Sequence, residues 1–207
     1  MADRLAGFIS VLFHPLWMPL LLFGVLVWTD PMVAYLMPRS MVWFVFPLLA
    51  INALAPAFSI WLMARGGYVS SVRLENRTER YWPISLVIMY YIMTYGLIRL
   101  TAPSVPWLLF SFILALIGNL VAALILSFFT KISLHMLAFG GCVGVVLALQ
   151  SQHGLGPVML PVVMLLLAGL TAWARLRLGA HRSGEVYLGF LVGALVSFLV
   201  VRSEWVV

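Results

Sequence analysis

Residues 106–129 read PWLLFSFILALIGNLVAALILSFF and contain no charged side chain. An α-helix rises about 1.5 Å per residue, so this stretch would be about 36 Å long as a helix. That length exceeds the hydrocarbon layer of a bilayer, which is about 30 Å thick. A helix that is apolar on all of its sides is typical of a membrane span. The stretch therefore predicts a transmembrane helix.

Stretches of the same kind recur along the chain. Of its 207 residues, 64% are hydrophobic and only 9% are charged, and the mean hydropathy is +1.12. Soluble domains carry about 25% charged residues. The sequence predicts a single all-α domain over residues 1–207, a polytopic transmembrane helical bundle with six or seven spans in the cytoplasmic (inner) membrane. We expect these spans near 8–28, 41–64, 84–100, 106–129, 135–150, 157–174 and 186–202.

Small and polar residues inside the spans indicate how the helices pack. Asn52 and Asn119 are amides at membrane depth, and we expect each to bond to a neighbouring helix. Glycines four residues apart let two helices approach closely. Such pairs are Gly140 with Gly144 and Gly189 with Gly193.

Charge and cysteine content exclude several classes of function. The net charge is +6, which in a membrane protein indicates basic loops facing lipid or cytoplasm, and we expect no nucleic-acid partner. Cys142 is the only cysteine and lies in an apolar stretch, so neither a disulfide nor a cysteine-based metal cluster is expected.

Three polar segments fall on one face of the membrane when the spans are counted in alternation. They are the loop 65–83, the short connection around Lys131 and the connection 175–185. Nine of the 12 Lys and Arg residues would share this face: Arg4, Arg65, Arg73, Arg77, Arg80, Lys131, Arg175, Arg177 and Arg182. The convergence of three basic segments predicts a site for an anion.

The first segment carries three arginines, Arg73, Arg77 and Arg80, spaced four and three residues apart. In a helical turn they would share one face. Guanidinium groups bind phosphate oxygens in a planar, bidentate manner. The alternative is a basic loop that is paired internally with Glu75 and Glu79.

The other two segments contain histidines. Ser133 precedes the fifth predicted span as a candidate helix N-cap, where the positive end of the helix dipole favours an anion, and His135 follows it. In the third segment His181 and Glu185 are four residues apart, so on a helix the carboxylate would reach the imidazole. A carboxylate orients a histidine and makes it more basic, as a nucleophile or general base requires.

Together these positions resemble the three-part signature of the type 2 phosphatidic acid phosphatase superfamily. Its parts run Lys-x6-Arg-Pro, Pro-Ser-Gly-His and Ser-Arg-x5-His-x3-Asp. This chain matches with Arg73-x6-Arg80, Ser133-x-His135 and Arg175-x5-His181-x3-Glu185. It departs from the signature at Arg73 and Glu185, which replace Lys and Asp, and at Leu134 and Ala174, which replace Gly and Ser.

The resemblance implies a membrane phosphatase that needs neither a metal nor a cofactor. His181 would attack phosphorus to give a phosphohistidine, Glu185 would hold its other nitrogen, and His135 would protonate the departing oxygen. The phosphate would be bound by Arg73, Arg80, Ser133 and Arg175, with Arg77 as a further clamp.

The partner implied is a membrane lipid carrying a phosphate or a (polyprenyl) pyrophosphate. The alternative is a non-catalytic lipid-phosphate binding protein or a small transporter. The bias of basic residues would place the site face in the cytoplasm, whereas the resemblance favours the periplasmic or extracellular side. His14 is on the face of the site and could approach it, but we expect a structural role for it, and we expect His153 to lie on the opposite face.

Overall fold

The computed structural model describes residues 1–37, 39–72, 74, 76–102, 105–154 and 157–203. Within these residues the chain forms α-helices and one 3₁₀ turn, Arg77–Arg80, and contains no β-strand. The helices are α1 (Ala2–Leu12), α2 (Met18–Thr29), α3 (Pro31–Leu36), α4 (Arg39–Arg65), α5 (Tyr81–Thr101), α6 (Trp107–Ser127), α7 (Leu134–His153), α8 (Leu160–Arg177) and α9 (Ser183–Arg202).

Six of these helices, α4 to α9, are long and apolar enough to cross a membrane. The prediction of an all-α, polytopic transmembrane bundle is therefore confirmed. In their most apolar windows, 72% of α7 and 50% of α6 is buried inside the bundle, whereas α4, α5, α8 and α9 are only 28% buried and carry many exposed apolar side chains. Such exposed apolar helix faces are expected where lipid is the solvent.

The first predicted span, 8–28, is wrong as a continuous helix. The chain forms α1 and α2 instead, separated by a turn at Phe13–Trp17. The reason is Pro15, which has no backbone N–H and whose ring clashes with the carbonyl four residues earlier in a helix. With 12 residues, α2 is only about 18 Å long, so it is too short to cross the bilayer alone.

Helices α7 and α9 pack so closely that their backbones are in contact. A methyl group added at Gly193 would fall on the Leu137 carbonyl, and one added at Gly140 would fall on the Phe190 carbonyl. Only residues without a side chain permit this approach, so the predicted packing role of these glycines is confirmed. The contact places the N-terminus of α7 beside that of α9.

Hydrogen bonds between polar side chains link further helices inside the bundle. Asn52 Nδ2 donates to Thr94 Oγ1 at 2.6 Å and joins α4 to α5. Asn119 Nδ2 donates to Ser197 Oγ at 2.6 Å and joins α6 to α9. The expectation that both amides bond to neighbouring helices is confirmed.

One end of the bundle collects the three polar connections 66–80, 128–133 and 178–182, and we call it the site end. Arg80 Nη1 donates to the Ile132 carbonyl at 2.8 Å, which joins the first connection to the second. The Ser133 N–H donates to the Glu185 carbonyl at 3.2 Å, which joins the second to the third. Helix α1 also lies at this end, since its buried face packs against Ala174 in the last turn of α8.

Candidate active site

His181 lies in the bend before α9 and is held by two acceptors. Its Nδ1 is 2.9 Å from Glu185 Oε2 and 3.2 Å from the Lys131 carbonyl oxygen. Both neighbours can only accept, so Nδ1 carries the proton and the lone pair of the neutral ring is on Nε2. Within the described part of the chain, Nε2 itself has no hydrogen-bond partner.

The contact between His181 and Glu185 arises differently from the helical pair that the spacing suggests. His181 precedes the helix, and Glu185 is the third residue of α9. The Glu185 carboxylate folds back over the helix N-terminus and accepts the Arg182 N–H at 3.1 Å as well as the imidazole. The capping of α9 thus fixes the orientation of His181.

Burial lowers the pKa of His181 to about 4. The hydrogen bond that His181 donates to Glu185 raises this pKa in part, and the positive charges of Arg175 and Arg80 lower it further. The imidazole is therefore neutral at pH 7, with its Nε2 lone pair available.

The titration of His181 can be measured directly. In the free protein we expect its imidazole carbon resonance to stay at the neutral position down to about pH 5 and to shift with a midpoint near pH 4. Glu185→Gln should move the midpoint lower, because it removes the negative charge that favours the imidazolium. NMR on selectively labelled protein, with His181→Asn for assignment, provides the test. A midpoint above 6.5 would contradict the described environment.

Arg80 is a buried arginine, with 4% of its surface exposed. Its Nε donates to the Leu74 carbonyl at 2.9 Å and its Nη1 to the Ile132 carbonyl at 2.8 Å. These two bonds fix the plane of the guanidinium and leave its other N–H groups for a further acceptor. The Glu185 carboxylate is near enough to offset part of this buried charge, and the positive charge of Arg175 adds to it, so an anion would still be stabilised here.

Arg77, the second arginine of the first segment, makes a contact away from the proposed phosphate position. Arg77 is exposed, and its Nη1 donates to the Phe129 carbonyl at 2.8 Å. This hydrogen bond joins the connection 66–80 to the connection 128–133. Arg73, the first member of the predicted phosphate cradle, lies outside the described residues.

Ser133 is the N-cap residue of α7, as predicted, but its hydroxyl does not cap the helix. The side chain is fully buried, and its Oγ has no hydrogen-bond partner within the described residues. The buried hydroxyls of Ser10, Ser111 and Thr171 are also unpaired within these residues, so what makes Ser133 a candidate ligand group is its position at the start of α7. The positive end of the α7 dipole lies beside it and favours an anion.

His135, the second residue of α7, is buried against the N-terminal segment. Its Nε2 is 2.9 Å from the Ser10 carbonyl oxygen, one of the last four carbonyls of α1, which the helix itself leaves unpaired. The ring of His14 meets the ring of His135 edge-on, with centroids 5.6 Å apart. Sequence reasoning missed Ser10, and for His14 it favoured a structural role over an approach to the site.

Arg175, in the last turn of α8, is the common electrostatic neighbour of the histidines. Its positive charge contributes to lowering the pKa of both His14 and His181, after the larger effect of burial. The site end thus joins a neutral, oriented imidazole to two guanidinium groups and an unpaired hydroxyl. Within the described residues, no group of three or more His, Cys, Asp or Glu side chains could hold a metal ion.

No family model, no curated protein and no solved structure matches this chain. What indicates a function for this chain is the geometry of the residues at the site end, together with the signature in their sequence.

Proposed function

We propose that this protein is an integral membrane phosphatase that hydrolyses a lipid phosphate or a lipid (polyprenyl) pyrophosphate through a phosphohistidine. We also propose that it belongs to the type 2 phosphatidic acid phosphatase superfamily. The carrying observation is the state of His181. Its Nδ1 proton is held by Glu185 and by the Lys131 carbonyl, and its Nε2 is available to attack.

In the first step His181 Nε2 bonds to phosphorus while the bond from phosphorus to the lipid oxygen breaks. The imidazole becomes cationic, and the Glu185 carboxylate at 2.9 Å stabilises that charge. Negative charge spreads over the phosphoryl oxygens in this transition state, and fixed positive groups stabilise it. Arg80 and Arg175 would provide these positive charges, and the Ser133 hydroxyl would donate a hydrogen bond.

In the second step water attacks the phosphohistidine and releases inorganic phosphate. His135 would give a proton to the departing lipid oxygen in the first step and accept one from this water in the second. Its buried Nε2–H contact with the Ser10 carbonyl fixes the ring for this role. The arginines supply the charge stabilisation that metal ions provide in two-metal phosphatases.

The substrate class follows from the position of the site at one end of the bundle. A phosphate headgroup would bind among the basic groups while its hydrocarbon chain stays in the bilayer. Arg80, Ser133, His135 and His181 are all buried, so the segments that cover them must open to admit the headgroup. On the resemblance alone, we place the site on the outer, periplasmic face of the inner membrane.

The proposal is tested by measuring phosphate release from a lipid phosphate in detergent with a metal chelator present. We expect release to continue in chelator and vanadate to inhibit competitively. Vanadate forms a five-coordinate oxyanion like the transition state, and such mimics bind about 10²–10⁸ times tighter than substrate. Activity that is lost in chelator, restored by magnesium and insensitive to vanadate would contradict the mechanism. A transporter or a non-catalytic binder would release no phosphate.

A further inference from the structure

The N-terminal segment Ser10–His14 reaches into the site from a different part of the chain. We propose that His14 is a further proton-transfer residue of this site, and that His14 and His135 act as a pair on the departing lipid oxygen. This inference rests on the proposed phosphatase function, and it adds a third histidine to the two that the signature contains.

The first support is the arrangement of protons on the two rings. The Leu16 N–H donates to His14 Nδ1 in a long hydrogen bond of 3.4 Å, so the neutral His14 ring carries its proton on Nε2. His135 Nε2 donates to the Ser10 carbonyl, so the lone pair of its neutral ring is on Nδ1. Among the residues that the structure describes, the His14 donor and the His135 acceptor have no other hydrogen-bond partner.

This arrangement limits what His135 can do alone. Its one proton in the neutral state is donated to a backbone carbonyl, which cannot pass it on. A proton for the departing oxygen must then enter at Nδ1 of His135 or be held by His14. The two rings are in edge-to-face contact, at a centroid distance of 5.6 Å, so a phosphate ester bound against one ring would lie close to the other.

The second support is the charge around His14. Burial and the positive charge of Arg175 from α8 lower its pKa, and the only other titratable ring in contact with it is His135 from α7 within the described residues. His14 is thus neutral when the site is empty. A bound phosphate would offset the charge of Arg175 and favour the imidazolium, so substrate binding would load the pair with one proton.

The proton balance of the cycle is then complete. In the first step the bond between phosphorus and the lipid oxygen breaks, the bond to His181 Nε2 forms, and the pair's proton passes to the lipid oxygen. In the second step a water oxygen bonds to phosphorus, the bond to Nε2 breaks, and the water proton returns to the pair. The products are inorganic phosphate and the lipid alcohol, or inorganic phosphate and the lipid monophosphate when the substrate is a pyrophosphate.

The test compares two substrates that differ in their need for an acid. A lipid phosphate has a poor leaving group and needs a proton, whereas p-nitrophenyl phosphate has a good one. Two substitutions, each made in the whole 207-residue chain, separate the structural contacts of His14 from its proton transfer. His14→Asn retains an acceptor for the Leu16 N–H, and His14→Phe retains a ring against His135. His153→Asn, at the other end of α7, is the matched control.

With the lipid phosphate, we expect both His14 variants to lose about 10²-fold in kcat, in the range typical of general acid catalysis. With p-nitrophenyl phosphate the loss should be less than about 5-fold, because this leaving group needs no acid. The control should match wild type on both substrates.

Equal losses on the two substrates would overturn the inference, since they would show a structural role. Full activity of either variant on the lipid phosphate would overturn it as well. In both of these cases the proposed function still stands if the wild-type protein releases phosphate and His181→Asn does not. A wild-type protein without phosphate release under any condition removes the proposed function and this inference with it.

Discussion

His181→Asn is expected to reduce phosphate release by about 10⁴-fold or more, the scale on which enzymes lose rate with their nucleophile. The asparagine amide can still donate to Glu185 and to the Lys131 carbonyl, as His181 Nδ1 does. The variant should therefore fold normally while it lacks the nitrogen that attacks phosphorus. Release of inorganic phosphate from a lipid phosphate provides the measurement.

Two further variants separate the chemistry from the fold. Glu185→Gln retains an acceptor for His181 but lacks the charge that stabilises the imidazolium, so a smaller loss of about 10²–10³-fold is expected. His153→Asn changes a histidine at the far end of α7 and should leave turnover unchanged. If His181→Asn folds with wild-type thermal stability and still releases phosphate, then His181 is not the nucleophile.

Gly193→Ala is expected to lower the melting temperature and to abolish activity in the same variant. Its added methyl group would fall on the Leu137 carbonyl, with the Gly141 N–H only 2.9 Å away. These neighbours are backbone atoms of α7 and cannot turn aside, so α7 and α9 must separate. Overpacking of this kind typically costs about 1–3 kcal/mol. The separation would also move Ser133 and His135 away from His181 and Glu185, which lie at the start of α9.

Gly169→Ala in α8 is the matched control for this prediction. A methyl group added there meets no atom within 4 Å. Alanine is favoured over glycine in a helix by about 0.5–1 kcal/mol, so the control should be unchanged or slightly more stable. Thermal unfolding in detergent and phosphate release are measured on both variants. Equal behaviour of the two alanine variants would show that the close approach of α7 and α9 does not hold the site together.

The fold class was predictable because lipid imposes a simple rule on sequence. A chain segment in hydrocarbon must satisfy its own backbone, so a long apolar stretch becomes a helix whatever surrounds it. This rule predicted α4 to α9 from local composition. It failed at 8–28, where the apolar count favoured one span but the backbone chemistry of Pro15 ended the helix.

The sequence by itself determined those features of the candidate site that involve residues close together in the chain. Glu185 contacts His181 because only three residues separate them in the chain. Ser133 is the N-cap of α7 because it directly precedes the apolar stretch that forms this helix. Contacts of this range depend on backbone geometry that the neighbouring residues set. The spacing of a few residues was therefore enough to predict them.

Only the tertiary structure decided which distant groups meet. The Arg80 contact with Ile132 joins residues 52 positions apart, and the His135 contact with Ser10 joins residues 125 positions apart. No local pattern predicts such pairs, because they depend on the backbone approach of α7 and α9 and on the break at Pro15. That break turns α1 across the site end and brings His14 to the ring of His135. The sequence left open whether His14 approaches the site, and packing is what brings its ring against His135.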